Sequence, residues 1–359
     1  MADVLAGLLA DVSWLPGWSV KSVRPGSWDL RASGPIPGGG SGVLCVEIKR
    51  HFTPSLFRNL ADRPCAAGAA KVATRVLGLP RVSSRLADVC REHGWSWFDL
   101  AGNCRLEVPG VLLIERSGRL PAPTVGRARA SLRSPEAGRV VRALLAPGNA
   151  GRRWTQRGIV QHFGELSVPV PFPRLALVNK VVQHLREEAF IEQLPGRVFR
   201  VRDHEGLLRA WRDAYRHDRY GRRSWFTLLR GSALDERLRG FDLTAEGRGR
   251  AQYAAFSAAE SQAPAVRQPR TWLMVDPFGE TALMNAIDAK PVDSGENVVA
   301  LVPDDPGVFY EPEIKAGRLP CTNAVQTYID LSHAGSRGDE AAEAVLQQRL
   351  KPPWKRAGQ

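Results

Sequence analysis

The sequence predicts an α+β multidomain protein in three blocks, and three observations carry that reading. The chain has 359 residues, more than one hydrophobic core usually supports. Strand-like and helix-like hydrophobic periods mix in the first and last blocks, whereas the middle block reads as helices followed by a hairpin. The charge is also unevenly placed: of a net +13, residues 1–133 carry +8, residues 134–223 another +8, and residues 224–359 carry −3. A basic first two thirds dominated by Arg favours polyanion binding, because Arg is the better bidentate ligand for phosphate and guanine edges. No apolar run reaches the length needed to span a bilayer, so no membrane partner is expected.

The first block, residues 1–120, is expected to be an α/β domain. MADVLAGLLADVSWLPGW carries Asp3 and Asp11 and no early Lys or Arg, so it reads as a short amphipathic helix and not as a signal peptide. Gly42–Ile48 and Val111–Glu115 are strand-like, and Ser83–His93 is helical. Cys45, Cys65, Cys90, Cys104 and Cys321 are odd in number, scattered and without a C-x-x-C spacing. That argues against a disulfide framework and against a zinc module, and makes a reducing cytoplasm the simplest setting.

Ser27-Trp28-Asp29-Leu30 is followed, after a Gly-rich turn, by Val43-Leu44-Cys45-Val46-Glu47-Ile48-Lys49. Residues i and i+2 of a strand share a face, so Glu47 and Lys49 point together, and the returning strand brings them beside Asp29. Such a trio suits a Mg2+ held by Asp29 and Glu47, with Lys49 steadying the attacking water or the phosphate. The pattern, with Trp95–Gly118 behind it, resembles the PD-(D/E)XK restriction-endonuclease-like fold. The resemblance implies Asp29, Glu47 and Lys49 as catalytic residues, Asp29 and Glu47 as metal ligands, and Mg2+ as the cofactor if the domain cuts. A salt-bridged strand pair, or a nuclease fold reused as a platform, explains the same residues. Asp99 and Asn103 read as turn-formers.

Residues 121–133, Pro- and Arg-rich without periodicity, read as a linker. In the middle block, 134–220, Ser134-Pro135-Glu136 opens a helix with an N-cap, a Pro at the first position and an early acid. Val140, Val141, Leu144 and Leu145 follow at helical spacing, and Pro147-Gly148 ends it. Trp154-Thr155-Gln156 begins a second helix. In Arg174–Gln193, Leu177, Val178, Val181, Val182 and Leu185 form one apolar stripe, closed by Phe190 and Ile191. LPGRVFRV then supplies a Pro-Gly turn between short strands. This is the winged helix-turn-helix pattern, in which the third helix enters the major groove and the wing touches backbone. Asn179, Lys180, Gln183, His184 and Arg186 are the expected DNA-binding residues, with Arg197 on phosphate from the wing. A three-helix domain used for protein contacts is the plain alternative, and Leu166–Phe172 is longer than a normal turn.

The last block, 221–359, is expected to be an α/β domain with strands at Thr271–Val275 and Val298–Val302 and helices at Val325–Leu331 and Gly338–Leu350. Tyr328 and Leu331 are expected to pack, Asp330 to pair with Arg337, Gly335 and Gly338 to permit a turn, and KPPWKRAGQ to fray. The sequence offers no metal cluster, phosphate loop or activated nucleophile here, and His333 stands alone. Its net −3 suggests a role toward partners, so that a chain ending at Tyr220 would still bind DNA.

Together the middle block, FDLTAEGRGRAQYAAFSAAES (Phe241–Ser261), TWLMVD (Thr271–Asp276) and AVQTYIDLSHAGSRGDEAAEAVLQQRL (Ala324–Leu350) resemble the AbiEi family of antitoxin regulators of type IV toxin–antitoxin systems. The resemblance spans roughly Ser134 to Trp354 and implies a cytoplasmic repressor of its own operon. Its partners would be double-stranded DNA and a nucleotidyltransferase-like toxin encoded nearby. Many members carry the winged helix at the N-terminus, whereas here it is central. The leading expectation is a non-enzymatic regulator; the alternative is a Mg2+-dependent nuclease targeted by its winged helix.

Overall fold

The protein is mixed α+β with several sheets. The computed structural model describes the chain apart from residues 13–16, 24–27, 37–38, 50–51, 53–54, 62, 66–71, 111, 120–131, 168, 242–249, 316–317, 336 and 359. Ser27, most of the expected linker and the stretch 242–249 of the resemblance lie outside the described residues. The chain divides into two compact units, Met1–Ala128 with Leu185–Glu192, and Arg129–His184 with Gln193–Gln359.

The first unit begins with helix α1 (Ala2–Ala10) and strands β1 (Ser19–Ser22), β2 (Leu30–Pro35) and β3 (Ser41–Ile48). Helix α2 (Ser55–Ala61), β4 (Val72–Leu79), α3 (Ser84–Glu92), β5 (Ser96–Asp99), β6 (Cys104–Val108) and β7 (Leu112–Arg116) follow. The seven strands form one sheet in sequence order. β3, β4 and β5 are parallel and the other neighbours antiparallel. Each parallel step needs a crossover, and α2 and α3 supply the two. β3 is buried on both faces, which is why it reads as a nearly continuous apolar run. Leu44 and Val46 pack with Leu5, Leu8 and Leu9 of α1, while Val43 and Cys45 pack with α2 and α3. Glu47 shares the pleat of Val43 and Cys45, so it points to the α2–α3 face.

Cys45 and Cys65 form a disulfide, with Cα atoms 5.8 Å apart, which corrects the expectation drawn from cysteine count. Counting parity and spacing cannot register that the chain after α2 returns beside the middle of β3. The turn reading of Asp99 matches its contacts. Its carboxylate accepts from the backbone N–H groups of Ala101 and Asn103, and from the Asn103 amide.

The second unit opens with α4 (Pro135–Leu145), where Ser134 accepts from the Ala137 N–H, and α5 (Gln156–Gly164), where Thr155 accepts from Gly158. Helix α6 (Leu175–Glu187) leads into the hairpin β8 (Ile191–Leu194) and β9 (Val198–Val201), and Trp154 bridges antiparallel to Phe199. The stretch Leu185–Glu192, the end of α6 and the start of β8, groups with the first unit. Then come α7 (His204–Ala214), β10 (Gly221–Phe226), α8 (Gly231–Gly240), β11 (Ala251–Tyr253), α9 (Ala255–Gln262) and β12 (Thr271–Val275). Helix α10 (Glu280–Ala286), β13 (Lys290–Pro291), β14 (Val298–Val302), α11 (Ala324–Ser332), α12 (Gly338–Val345) and α13 (Lys351–Gly358) complete it. The five strands order β11-β12-β14-β10-β13, and only β12 and β14 run parallel.

The C-terminal stretch expected to fray is instead α13, continued from α12 through a π turn at Leu346–Leu350. Trp354 is buried, donates Nε1–H to the Leu145 carbonyl at 3.1 Å and stacks on His204. An aromatic side chain with a satisfied N–H contributes enough buried area to order a polar tail. The expected Asp330–Arg337 pair is absent from the described contacts: Asp330 accepts from Gln326 at 2.7 Å, and Arg337 pairs with Glu340. Asp330 lies on the buried face of α11, whereas Arg337 is an exposed residue at the start of α12. At Gly338 a Cβ would stand 2.2 Å from the Leu331 carbonyl oxygen, so the turn between these helices requires glycine.

Candidate functional site

Three groups of residues stand out, and their geometries differ. The first is the outer face of α6 with the β8–β9 tip. Val178, Val181, Val182 and Leu185 are fully buried, which fixes the helix by its apolar stripe. Asn179, Lys180 and Gln183 are thereby exposed, while His184 and Arg186 are only half-exposed. Arg186 lies in the stretch that groups with the first unit, and the remaining candidates belong to the second. The Gln156 amide donates to Asn179 Oδ1 at 3.1 Å, placing the first turn of α5 beside the α6 face. Arg197 is exposed at the tip of the hairpin, at φ 63° beside Gly196 at φ 75°. A left-handed pair of this kind turns the strand within three residues. Sequence reasoning missed Arg153, Arg157 and Arg174, which are also exposed near these helix starts. For the first two the signal was present in GRRWTQR.

The second group is Asp29, Glu47 and Lys49. Asp29 immediately precedes β2 and Glu47 lies one residue before the end of β3, and the register Leu30↔Val46 brings the two stretches side by side. The Asp29 N–H donates to the Val46 carbonyl, and its Oδ2 accepts from the Ile48 N–H at 2.7 Å. Glu47 is 5% exposed, and its two oxygens are held by Lys49 Nζ at 2.5 Å and Arg63 Nη1 at 2.9 Å. Arg63 follows α2, two residues before the Cys65 disulfide, and lies over the Trp28 ring. Among the described residues no group of three or more His, Cys, Asp or Glu is placed to hold a metal ion. The donors present therefore do not fit a Mg2+ centre: one carboxylate is committed to two cations and the other to a backbone N–H.

The third group was not anticipated. Arg142 stands inside the apolar run Val140–Leu145 of α4 and is 2% exposed. Its Nε donates to Gln326 Oε1 at 2.6 Å and its Nη2 to the Tyr215 hydroxyl at 3.2 Å. Gln326 Nε2 in turn reaches Tyr220 and Asp330. Burial works against the charge on Arg142, yet Tyr215, Tyr220 and Asp305 hold its pKa above the ordinary value. Burial pushes Asp330 up to about 7. Nearby, Arg139 binds Asp305 Oδ1, and His162 of α5 meets the Tyr310 hydroxyl at 2.6 Å. Burial, then Arg152, lowers the His162 pKa. An Arg placed where a helix needs an apolar residue was the available signal.

No family model matches the chain, and no curated protein or solved structure matches it significantly. Among the described residues no helix is long and apolar enough to cross a membrane.

Proposed function

We propose that the chain is a DNA-binding transcriptional regulator, in the manner of an AbiEi-type antitoxin that represses its own operon. The observation that carries this reading is the exposed polar face Asn179–Lys180–Gln183 on the third of three helices, followed by a hairpin tipped with Arg197. Helix α4, the bridging residue Trp154, α5, α6 and the β8–β9 hairpin follow the chain order of a winged helix-turn-helix, and Trp154 pairs with β9 as the first strand of such a module does. On this reading α6 lies in the major groove and Arg197 on phosphate, with Arg157 as a further backbone contact from the start of α5. A nucleotidyltransferase-like toxin encoded nearby is the partner this family would bring. The N-terminal α/β unit is read as a nuclease-like scaffold that does not cut, since Glu47 is committed to Lys49 and Arg63.

Electrophoretic shift of the full chain on its upstream duplex, across a salt series, tests the proposal. Lys180→Ala and Arg197→Ala should each flatten the log–log salt slope by about 1. No shift on any duplex at about 50 mM salt ends the reading. Mg2+-dependent nicking of plasmid that Asp29→Ala abolishes would replace the scaffold reading with the nuclease one.

A further inference from the structure

Helix α6 turns Ala176, Asn179, Lys180 and Gln183 away from its buried stripe, and all of them are exposed. Their spacing of i, i+3, i+4 and i+7 places them on one contiguous face. Leu175, 43% exposed, borders that face one turn before Asn179. Two carboxamides, a methyl group and one ammonium thus make up the outward surface. From Leu175 to His184 the helix holds no Arg and no acid. The exposed Arg153, Arg157, Arg174 and Arg197 stand instead near the helix starts and on the hairpin tip.

Asn179 is tied to the neighbouring helix. Gln156, half-buried in the first turn of α5, donates from Nε2 to Asn179 Oδ1 at 3.1 Å. An amide oxygen can accept two hydrogen bonds, so Oδ1 has room for a second donor, and Nδ2 can donate twice. Gln156 therefore orients the Asn179 amide while leaving it able to bond on both ends.

The base pairs differ in what they present in the major groove. Adenine sets an N6 donor beside the N7 acceptor, which a carboxamide meets with both its ends, and thymine adds a methyl group. Guanine presents two acceptors, best met by Arg or Lys, and cytosine a donor, met by a carboxylate. The α6 face carries the first set of partners and, Lys180 apart, lacks the second.

We propose that α6 reads A·T base pairs, with Asn179 on an adenine edge, Ala176 and Leu175 against thymine methyl groups, and Gln156 positioning the Asn179 amide. The inference rests on the DNA-binding reading above and adds to it the identity of the bases. The surrounding arginines hold the backbone, which carries no direct sequence information, so affinity and base preference are separable on this surface.

The experiment mixes the full chain with a random-sequence duplex library at about 100 mM salt and sequences the bound duplexes. The best-bound duplex is then titrated with each variant. The parent should enrich A·T pairs in the centre of its motif. Asn179→Ala should lower the preference for A·T over G·C about tenfold at one base pair, with the salt slope unchanged. Asn179→Arg should turn the preference at that pair toward guanine. Gln156→Met keeps the bulk and loses the N–H. It should weaken the preference at the same base pair while the salt slope and thermal midpoint hold, a pattern that general loss of structure does not produce. Deoxyuridine in place of a contacted thymine removes only the methyl group and should weaken binding about fourfold. A G·C-rich or featureless motif, an Asn179→Ala or Gln156→Met base profile identical to the parent's, or a deoxyuridine duplex bound as tightly as its thymine parent overturns the proposal while DNA binding stands. No bound duplex at any salt ends both.

Discussion

Each unit buries carboxylates beside guanidinium groups, and the two solve the same electrostatic problem differently. In the N-terminal unit Glu47 is deeply buried, but Lys49 and Arg63 keep side chains 41% and 29% exposed. Both Glu47 oxygens are paired and both cations still reach water, so little hydrogen-bonding capacity is left over. In the second unit Arg142, Asp305 and Asp330 are all buried, and each retains one polar atom without a partner. The first arrangement is closed and acts as a tie between β3 and the segment after α2. The second is open. A residue pattern that suggested chemistry in the sequence is thus saturated, while the one with unused capacity lies where the sequence suggested only core.

The comparison is broken most directly by cutting the second unit. Within it, Arg142 of α4 bonds to Gln326, Asn149 and His162 both bond to the Tyr310 hydroxyl, and Leu145 receives the Trp354 N–H. A chain of residues 129–220 should therefore lack a cooperative thermal transition, contrary to the separability suggested by charge alone. A sharp melt with native helix content would show that the open cluster is not a shared core. Arg142→Met should come next, destabilising by about 3 kcal/mol in urea melts because it strips partners from a buried network. A loss under about 1 kcal/mol would place Arg142 outside that network.

A pH series sharpens the same contrast. Asp330 has its folded pKa raised from 3.8 to about 7 by burial, so the folded state prefers its proton. Its favourable contribution is fully present below the unfolded value and is lost as pH rises toward 7, on the order of 1.4 kcal/mol for each tenfold difference in proton affinity between the folded and unfolded chain. His204 and His217 act oppositely. Burial lowers both from 6.5 to about 4, His217 with help from His333 and Arg222, so their stabilisation is present above 6.5 and lost on acidification to 4. Asp330→Asn should therefore be more stable than the parent at pH 8, lose that advantage by pH 4, and fall more steeply on acidification. Parallel curves for the two proteins would remove Asp330 from the account.

The smallest effects are expected in the closed cluster. Lys49→Met should cost no more than about 1 kcal/mol, since Arg63 still pairs Glu47 and Lys49 is half in water. Added Mn2+ should leave the parent's melting midpoint unchanged. A midpoint that climbs with Mn2+, and stops climbing in Asp29→Asn, would reopen the cluster as a metal site.

Local signals were legible where short-range physics decides. Ser134 and Thr155 cap the helices that follow them, the apolar stripe of α6 fixes which side chains face outward, and the Pro-Gly turn lies between β8 and β9. The proximity of Asp29, Glu47 and Lys49 was readable from strand alternation and one reversal of chain direction. None of these needs contacts distant in sequence.

What the sequence could not decide is pairing between segments far apart. Arg142 meets Gln326 across 184 residues, Trp354 reaches Leu145 across 209, and Arg63, 16 residues on, pairs with Glu47. The Cys45–Cys65 bridge and the ordered C-terminal helix belong to the same class. The amino-acid sequence by itself determined the α+β class, the helix starts, the strand faces and the uneven charge, because each depends on propensity and period within a dozen residues. The tertiary structure alone decided which polar groups are satisfied and which remain open, because that depends on what the completed fold brings against each one.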